Sequence, residues 1–143
     1  MNGPRPYPGD LAPDRADARF WQACREHRFL LFRCKLCGRA VWPAGSCPRH
    51  GMAAMVWCEA SGLGRLHSWT VVHQRYETSF ADPPPNVAVV ELDEGALMHA
   101  TVLGADRLRA GMRLRVDFDD IGDAGAEVVV PVFRPEPEGE GAT

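Results

Sequence analysis

Two five-residue turns constrain this chain more than anything else in it: Cys34-Lys35-Leu36-Cys37-Gly38 and Cys47-Pro48-Arg49-His50-Gly51, with nine residues between Cys37 and Cys47. Each turn sets two potential metal ligands on one tight loop, and the glycine after the second ligand permits the positive φ such a knuckle requires. Together Cys34, Cys37, Cys47 and His50 offer three thiolates and one imidazole, a closed tetrahedral set that suits structural zinc. The histidine disfavours four-thiolate iron, and a catalytic zinc would need an open position that this set does not spare. Cys58, on a strand leaving the second knuckle, is the alternative to His50 as fourth ligand; the plain alternative is two turns whose cysteines bind nothing. The chain has five cysteines, an odd number, and its start, Met1 to Pro8, lacks an apolar leader. It therefore reads as cytoplasmic, with reduced thiols and no disulfide framework.

The rest of the chain divides around these turns. Residues 1–13 hold four prolines and read as a flexible arm. Asp14 is placed as the N-cap of a short amphipathic helix over about 15–27, with Ala16, Phe20, Ala23, Cys24 and His27 at helical spacing. Cys24 beside Phe20 and Trp21 reads as a buried, inert thiol. Strand Phe29–Arg33 enters the first knuckle, Ala40–Pro43 leaves it, and Ala54–Glu59 follows the second. Residues 14–60 thus form a helix and a rubredoxin-like zinc ribbon, too small to hold together without metal.

After Ser61-Gly62-Leu63-Gly64 the hydrophobic period becomes two. Arg65–Tyr76, Val87–Leu92, Leu97–Leu103, Met112–Phe118 and Glu127–Phe133 are five strand candidates. The clearest alternation puts Met112, Leu114, Val116 and Phe118 on one face and Arg113, Arg115 and Asp117 on the other. Five short strands over 61–134, with no long helix among them, predict a small barrel of the oligonucleotide/oligosaccharide-binding (OB) type, with an SH3-like barrel as competitor. The fold class is mainly β. The tail, 135–143, reads as disordered.

The order of parts resembles a family of zinc-ribbon/OB-fold, acyl-CoA-associated proteins known as a domain of unknown function. The matching residues are Phe20-Trp21, Cys34-x-x-Cys37-Gly38, Pro43, Cys47-Pro48, and Ser61-Gly62-Leu63-Gly64 running into Ser68-Trp69-Thr70-Val71-Val72. Leu92-Asp93-Glu94-Gly95, Ala110-Gly111-Met112 and Val130-Pro131-Val132-Phe133 extend the pattern, which covers about residues 16–134. Such proteins commonly carry cysteine where this chain has His50. The resemblance implies a non-catalytic accessory subunit that binds a thiolase-superfamily enzyme, by analogy as a two-plus-two assembly, and helps it receive an acyl-CoA thioester. The catalytic residues then belong to the partner.

Read with period two, the first barrel strand places Arg65, His67, Trp69, Val71, His73 and Arg75 on one face, with Leu66, Ser68, Thr70, Val72, Gln74 and Tyr76 on the other. Two arginines, two histidines and a tryptophan are unusual inside a barrel, so that face is placed outward or against a partner. His67 and His73 stand roughly 20 Å apart on an extended strand and cannot share a metal. Pro83-Pro84-Pro85 stiffens the following loop. Trp69, His73, Arg75, Tyr76 and Phe80 are accordingly the expected partner or CoA-thioester face.

Other chemistry is thinner. Asp117, Asp119, Asp120 and Asp123 form an acidic turn without the EF-hand ligand spacing, and the glycine pairs make no phosphate loop. A net charge of -3 and a single lysine, Lys35, weigh against nucleic acid, though a single-strand-binding zinc-ribbon/OB module remains the alternative function. A self-sufficient CoA-thioester enzyme is the third. No apolar stretch approaches the roughly 20 residues of a membrane span.

Overall fold

Residues 17–42, 44–73, 86–120 and 129–137 are described by the computed structural model. The expected arm, the Asp14 cap, Arg75, Tyr76, Phe80, the triple proline and Asp123 lie outside them.

The helix, α1 (Ala18–Arg25), is shorter than its periodicity predicts. It starts after Asp17, whose carboxylate takes the indole N–H of Trp21 at 3.1 Å instead of capping a backbone N–H. It ends in a left-handed residue, His27 at φ 58°, with Arg28 N–H donating to the Ala23 carbonyl and His27 N–H to that of Cys24, each at 2.9 Å. That pair of bonds is a helix-terminating motif in which glycine usually stands. His27 is therefore not on the buried face; it stacks on Phe118, ring centroids 5.2 Å apart.

Strands β1 (Leu30–Cys34), β2 (Ala40–Val41) and β3 (Met55–Glu59) form an antiparallel sheet in the order β2-β1-β3, with a single 3-10 turn at Met52–Ala54. The second sheet holds β4 (Leu63–Val71), β5 (Asn86–Leu92), β6 (Leu97–Ala100), β7 (Arg113–Asp120) and β8 (Val129–Pro135) in the order β6-β5-β4-β7-β8. Its two edges curl together. Val102, just past β6, forms a parallel bridge with Phe133 of β8, held by Leu103 N–H to Phe133 O at 2.8 Å and Phe133 N–H to Thr101 O at 2.9 Å. This is the OB order of strands and not the SH3-like one. On the other side of Val102 the Asn86 side chain of β5 prolongs the β5–β6 pairing: its amide donates to Val102 O at 2.9 Å and its oxygen accepts from Val102 N–H at 2.8 Å.

Strand β1 serves two cores because its alternate side chains point opposite ways. Phe29 and Leu31 join Phe20 and Cys24 of α1 and the barrel interior, Leu66, Val90, Leu92, Met98, Leu114 and Phe133 among them. Phe32 and Cys34 face a smaller cluster with Cys47, Ala54 and Met55. Phe20 is the hinge of the large core, edge-on to Phe29 at 6.0 Å and to Trp42 at 5.8 Å, while Phe29 meets Phe133 at 6.3 Å. Cys24 is buried there, and burial pushes its thiol up to about 12, which makes it the inert group expected.

The junction glycines are steric requirements. Gly62 has φ 76°, and a Cβ on it would run into Val116; a Cβ on Gly64 would lie 2.7 Å from the Glu91 carbonyl oxygen.

Two strand ends differ from expectation. The acidic residues Asp117, Asp119 and Asp120 belong to β7 rather than to a turn after it, and Asp117 accepts from Arg134 Nε at 2.7 Å. The tail does not loosen at residue 135: β8 runs through Pro135, Glu136 N–H donates to Arg113 O at 3.0 Å, and the Glu136 carboxylate accepts from Arg115 Nη2 at 2.8 Å.

Candidate metal centre and partner face

The two knuckles are built alike. In each, the glycine N–H closes on the carbonyl of the first cysteine at 2.8 Å, Gly38 on Cys34 and Gly51 on Cys47, with φ 79° and 76° at the glycines. This closure turns Cys34, Cys37, Cys47 and His50 toward one point, and their ligand atoms all lie within 4.8 Å of one another. The separations are 3.4 Å from Cys34 Sγ to His50 Nδ1, 3.6 Å from Cys47 Sγ to His50 Nδ1, and 3.7 Å between the sulfurs of Cys37 and Cys47. A tetrahedron built on metal–sulfur bonds of about 2.3 Å has edges of about 3.8 Å, slightly less where one ligand is nitrogen. The donor set therefore fits a tetrahedral ion. Cys58 does not belong to it: it sits in β3 opposite Leu31.

Burial works against ionising these thiols; the backbone overcomes it at Cys34 and Cys47, whereas at Cys37 the Arg39 N–H is outweighed by burial and by the neighbouring sulfurs of Cys34 and Cys47, and that thiol is pushed up. Cys34 is held below the ordinary thiol range by the N–H groups of Cys37 and Leu36, and Cys47 is brought down to about 6 by those of Arg49 and His50. Beside these two sulfurs the His50 imidazole is pushed up. Three thiolates on a divalent ion would leave the site with a charge near −1. From His27 to Cys58 the chain has no Asp or Glu and five cations, Arg28, Arg33, Lys35, Arg39 and Arg49; Arg28 is taken up by Glu26 and Glu59, and the other four would offset that charge.

The second expected site is not assembled in this way. Trp69 is 38% exposed on β4 and His73 is exposed just beyond it. The single-face reading of that strand is corrected by a bulge. Leu66 pairs with Val90 and Ser68 with Val89, which leaves His67 as the extra residue. Before the bulge Leu66 shares the inner face with Val90; after it Trp69 pairs with the fully buried Ala88 and Val71 with Asn86. Trp69 and Val71 thus lie on the inner face at the open end of the barrel, whereas Arg65 and His67 face outward. Sequence alternation gives no sign of the bulge, nor of the bonds from the Asn86 side chain to Val102. An asparagine where a strand follows three prolines was the one available hint.

Paired Cys/His knuckles joined through a two-sided strand to an OB barrel define the class of protein. The profile of the ChsH2 C-terminal OB-fold domain matches residues 57–119. A chain of the solved structure described as "Ltp2-ChsH2(DUF35) aldolase" superposes with a TM-score of 0.73 at 31% identity, over 85% of this chain and 95% of that one. The chain belongs to the DUF35 family. It is also 33% identical over 134 residues to a probable enoyl-CoA hydratase alpha subunit of Thermomonospora curvata, a match covering 92% of this chain and 40% of that protein. A DUF35 domain-containing scaffold protein of Methanocaldococcus jannaschii is 26% identical, over 84% of this chain and 89% of that protein. The chain thus spans about two fifths of the hydratase subunit it matches.

Proposed function

We propose that this chain is a non-catalytic accessory subunit of an acyl-CoA enzyme complex, bound to a thiolase-superfamily enzyme in a two-plus-two assembly. One observation carries the reading: nearly the whole of a chain from a DUF35 aldolase superposes on this one. The names of the other relatives, a hydratase alpha subunit and a scaffold protein, fit the same role. The residues agree. A closed four-ligand site leaves no position for substrate on the ion, and Cys24 is buried with its thiol pushed up.

The ion is zinc, held by Cys34, Cys37, Cys47 and His50. When bound it cross-links the two knuckles and supplies folding energy rather than reactivity. The setting is cytoplasmic and reducing, as free thiols at these ligands require. Among the described residues no helix is long and apolar enough to cross a membrane. Trp69 and His73 belong to the face that meets the partner or its thioester, the role the sequence also assigns to Arg75, Tyr76 and Phe80.

Co-purification of the tagged chain from its native cell, followed by acyl-CoA turnover assays on the separated components, tests this. The expected result is a thiolase-superfamily protein in near-equal amount, inactive or unstable alone, whose turnover returns when the chain is added back. Turnover by the chain alone would refute the reading. The cationic run from Arg28 to Arg49 favours a second one, a single-strand nucleic-acid module; retention of oligonucleotide with a steep loss of binding as salt rises would support it.

A further inference from the structure

The ribbon is charged unlike the rest of the molecule. Residues 27–58 carry five cations and no carboxylate, a formal +5 in a chain whose net charge is -3, so the remainder stands at -8. A separation of sign on this scale favours contact with an oppositely charged surface. Arg28 is taken up by Glu26 and Glu59. Arg33, Lys35, Arg39 and Arg49 are not: among the described residues no carboxylate pairs with any of them. Against a filled four-ligand site they still leave a local charge of about +3.

The knuckles bring these groups to one end of the ribbon. Lys35 N–H donates to Ala54 O at 2.9 Å, which seats the first knuckle on the Met52–Ala54 turn, and Cys34 Sγ lies 3.4 Å from His50 Nδ1, which draws the second knuckle beside it. Lys35, Leu36, Arg39, Arg49 and Met52 are all exposed there, Leu36 by 66% and Met52 by 51%. Arg33 Nε donates to Gly38 O at 3.1 Å, which lays its guanidinium along the first knuckle. Because His50 faces the sulfurs with Nδ1, its Nε2 is turned away from them, and with an ion on Nδ1 that nitrogen carries a proton. A ligating histidine ordinarily gives this proton to a carboxylate, a carbonyl or water, and the ribbon supplies no carboxylate from His27 to Cys58. Two apolar side chains among unpaired cations, with an outward N–H beside them, complement an acidic and partly apolar protein segment. Nucleic acid fits this end poorly, since residues 34–40 and 47–52 hold no Phe, Tyr or Trp on which a base could stack.

We infer that the knuckle end of the ribbon docks an acidic protein segment, its carboxylates against Lys35, Arg39 and Arg49 and its apolar side chains over Leu36 and Met52. Charge and exposure define the chemistry of the occupant; that the partner enzyme carries it rests on the accessory-subunit reading.

Lys35 is the chain's one lysine, so zero-length carbodiimide coupling reports on this end directly. In the complex of the full chain with the co-purified thiolase-superfamily enzyme, the expected product is an amide from Lys35 Nζ to an aspartate or glutamate of the enzyme, absent for Lys35→Arg. Arg39→Gln with Arg49→Gln is expected to keep stoichiometric zinc, to weaken association by at least about tenfold and to flatten its dependence on salt. Arg107→Gln with Arg109→Gln, which removes the same charge from exposed positions between β6 and β7, should change affinity by less than about twofold. An intact complex with no Lys35 link, or equal weakening by the two double variants, would overturn the docking surface and leave the subunit reading standing. A link from Lys35 to Glu138 or Glu140 of this chain would place its own tail there and also overturn it. Loss of the link on adding CoA or a single-stranded oligonucleotide, with the complex intact, would assign the face to phosphate and do the same. Failure of the wild-type chain to retain any thiolase-superfamily enzyme would remove both.

Discussion

The ribbon and the barrel are held by different means. Among the described residues the barrel core, with α1 and the base of β1 inserted, gathers thirteen buried residues, whereas the ribbon's own buried cluster has five, of which Cys34 and Cys47 are members of the ligand set. A cluster of that size buries too little apolar surface to offset the entropy of ordering its loops. On the proposed function the ion closes the knuckles, while packing holds the barrel. Charge follows the same division. From His27 to Cys58 the ribbon has cations and no carboxylate, whereas Arg113 and Arg134 of the barrel are paired singly, Arg113 to Asp93 at 2.8 Å and Arg134 to Asp117 at 2.7 Å.

The largest effect that sharpens this contrast is expected at the ion. Cys34→Ser should abolish stoichiometric zinc and remove most of a contribution on the order of 10 kcal/mol to ordering the ribbon. Metal analysis and hydrogen exchange would show residues around 34–55 losing protection while β5 to β8 keep theirs. If the whole barrel melts with the ribbon, the division into two supports is wrong.

Phe20→Ala probes the other side. Truncating a fully buried ring at the junction of α1, Trp42 and the barrel should cost about 3–5 kcal/mol in denaturant unfolding. Zinc content of the folded fraction should not change. A comparable loss of zinc would show that the ribbon depends on the barrel core more than its own cluster suggests.

Gly64→Ala is smaller. The new methyl meets the β5 backbone, and overpacking of this kind costs about 1–3 kcal/mol.

The surface pairs come last. Arg113 holds the Asp93 carboxyl below its usual range, as Arg134 does for Asp117 and Arg115 for Glu136. Since each folded value lies below the unfolded one, the stabilisation is complete above the ordinary carboxylate range and is lost as pH falls through the folded values. These carboxylates are exposed and screened, so Asp93→Asn should cost less than about 1 kcal/mol, and less still in high salt. Thermal unfolding followed between neutral and acid pH would check the sign.

Much of this was legible in the sequence because it is local. Spacing and glycine position marked both knuckles, and period-two alternation marked β7, whose Leu114, Val116 and Phe118 do face the barrel core. What the sequence concealed is tertiary. One extra residue at His67 reverses the faces of β4 beyond it, and a period-two reading carries straight through such a shift. The helix looked like part of the ribbon, yet Phe20 and Cys24 pack into the barrel core because β1 presents a hydrophobic face to each side. His27 kept helical spacing past the point where the chain turns left-handed and places its ring on Phe118. Composition places Glu136 in a tail lacking an apolar anchor; it is held by backbone and ion-pair contacts to β7, which composition does not reveal.

Native mass spectrometry of the assembly recovered from cells tests the account most directly, since one spectrum reports both ion and partner. The expected species contains two copies of this chain, each heavier by one zinc, with two copies of a thiolase-superfamily enzyme, and acid dissociation should release the metal along with the subunits. A folded chain at its bare mass, alone or carrying only nucleic acid, would contradict both the metal-closed ribbon and the subunit role.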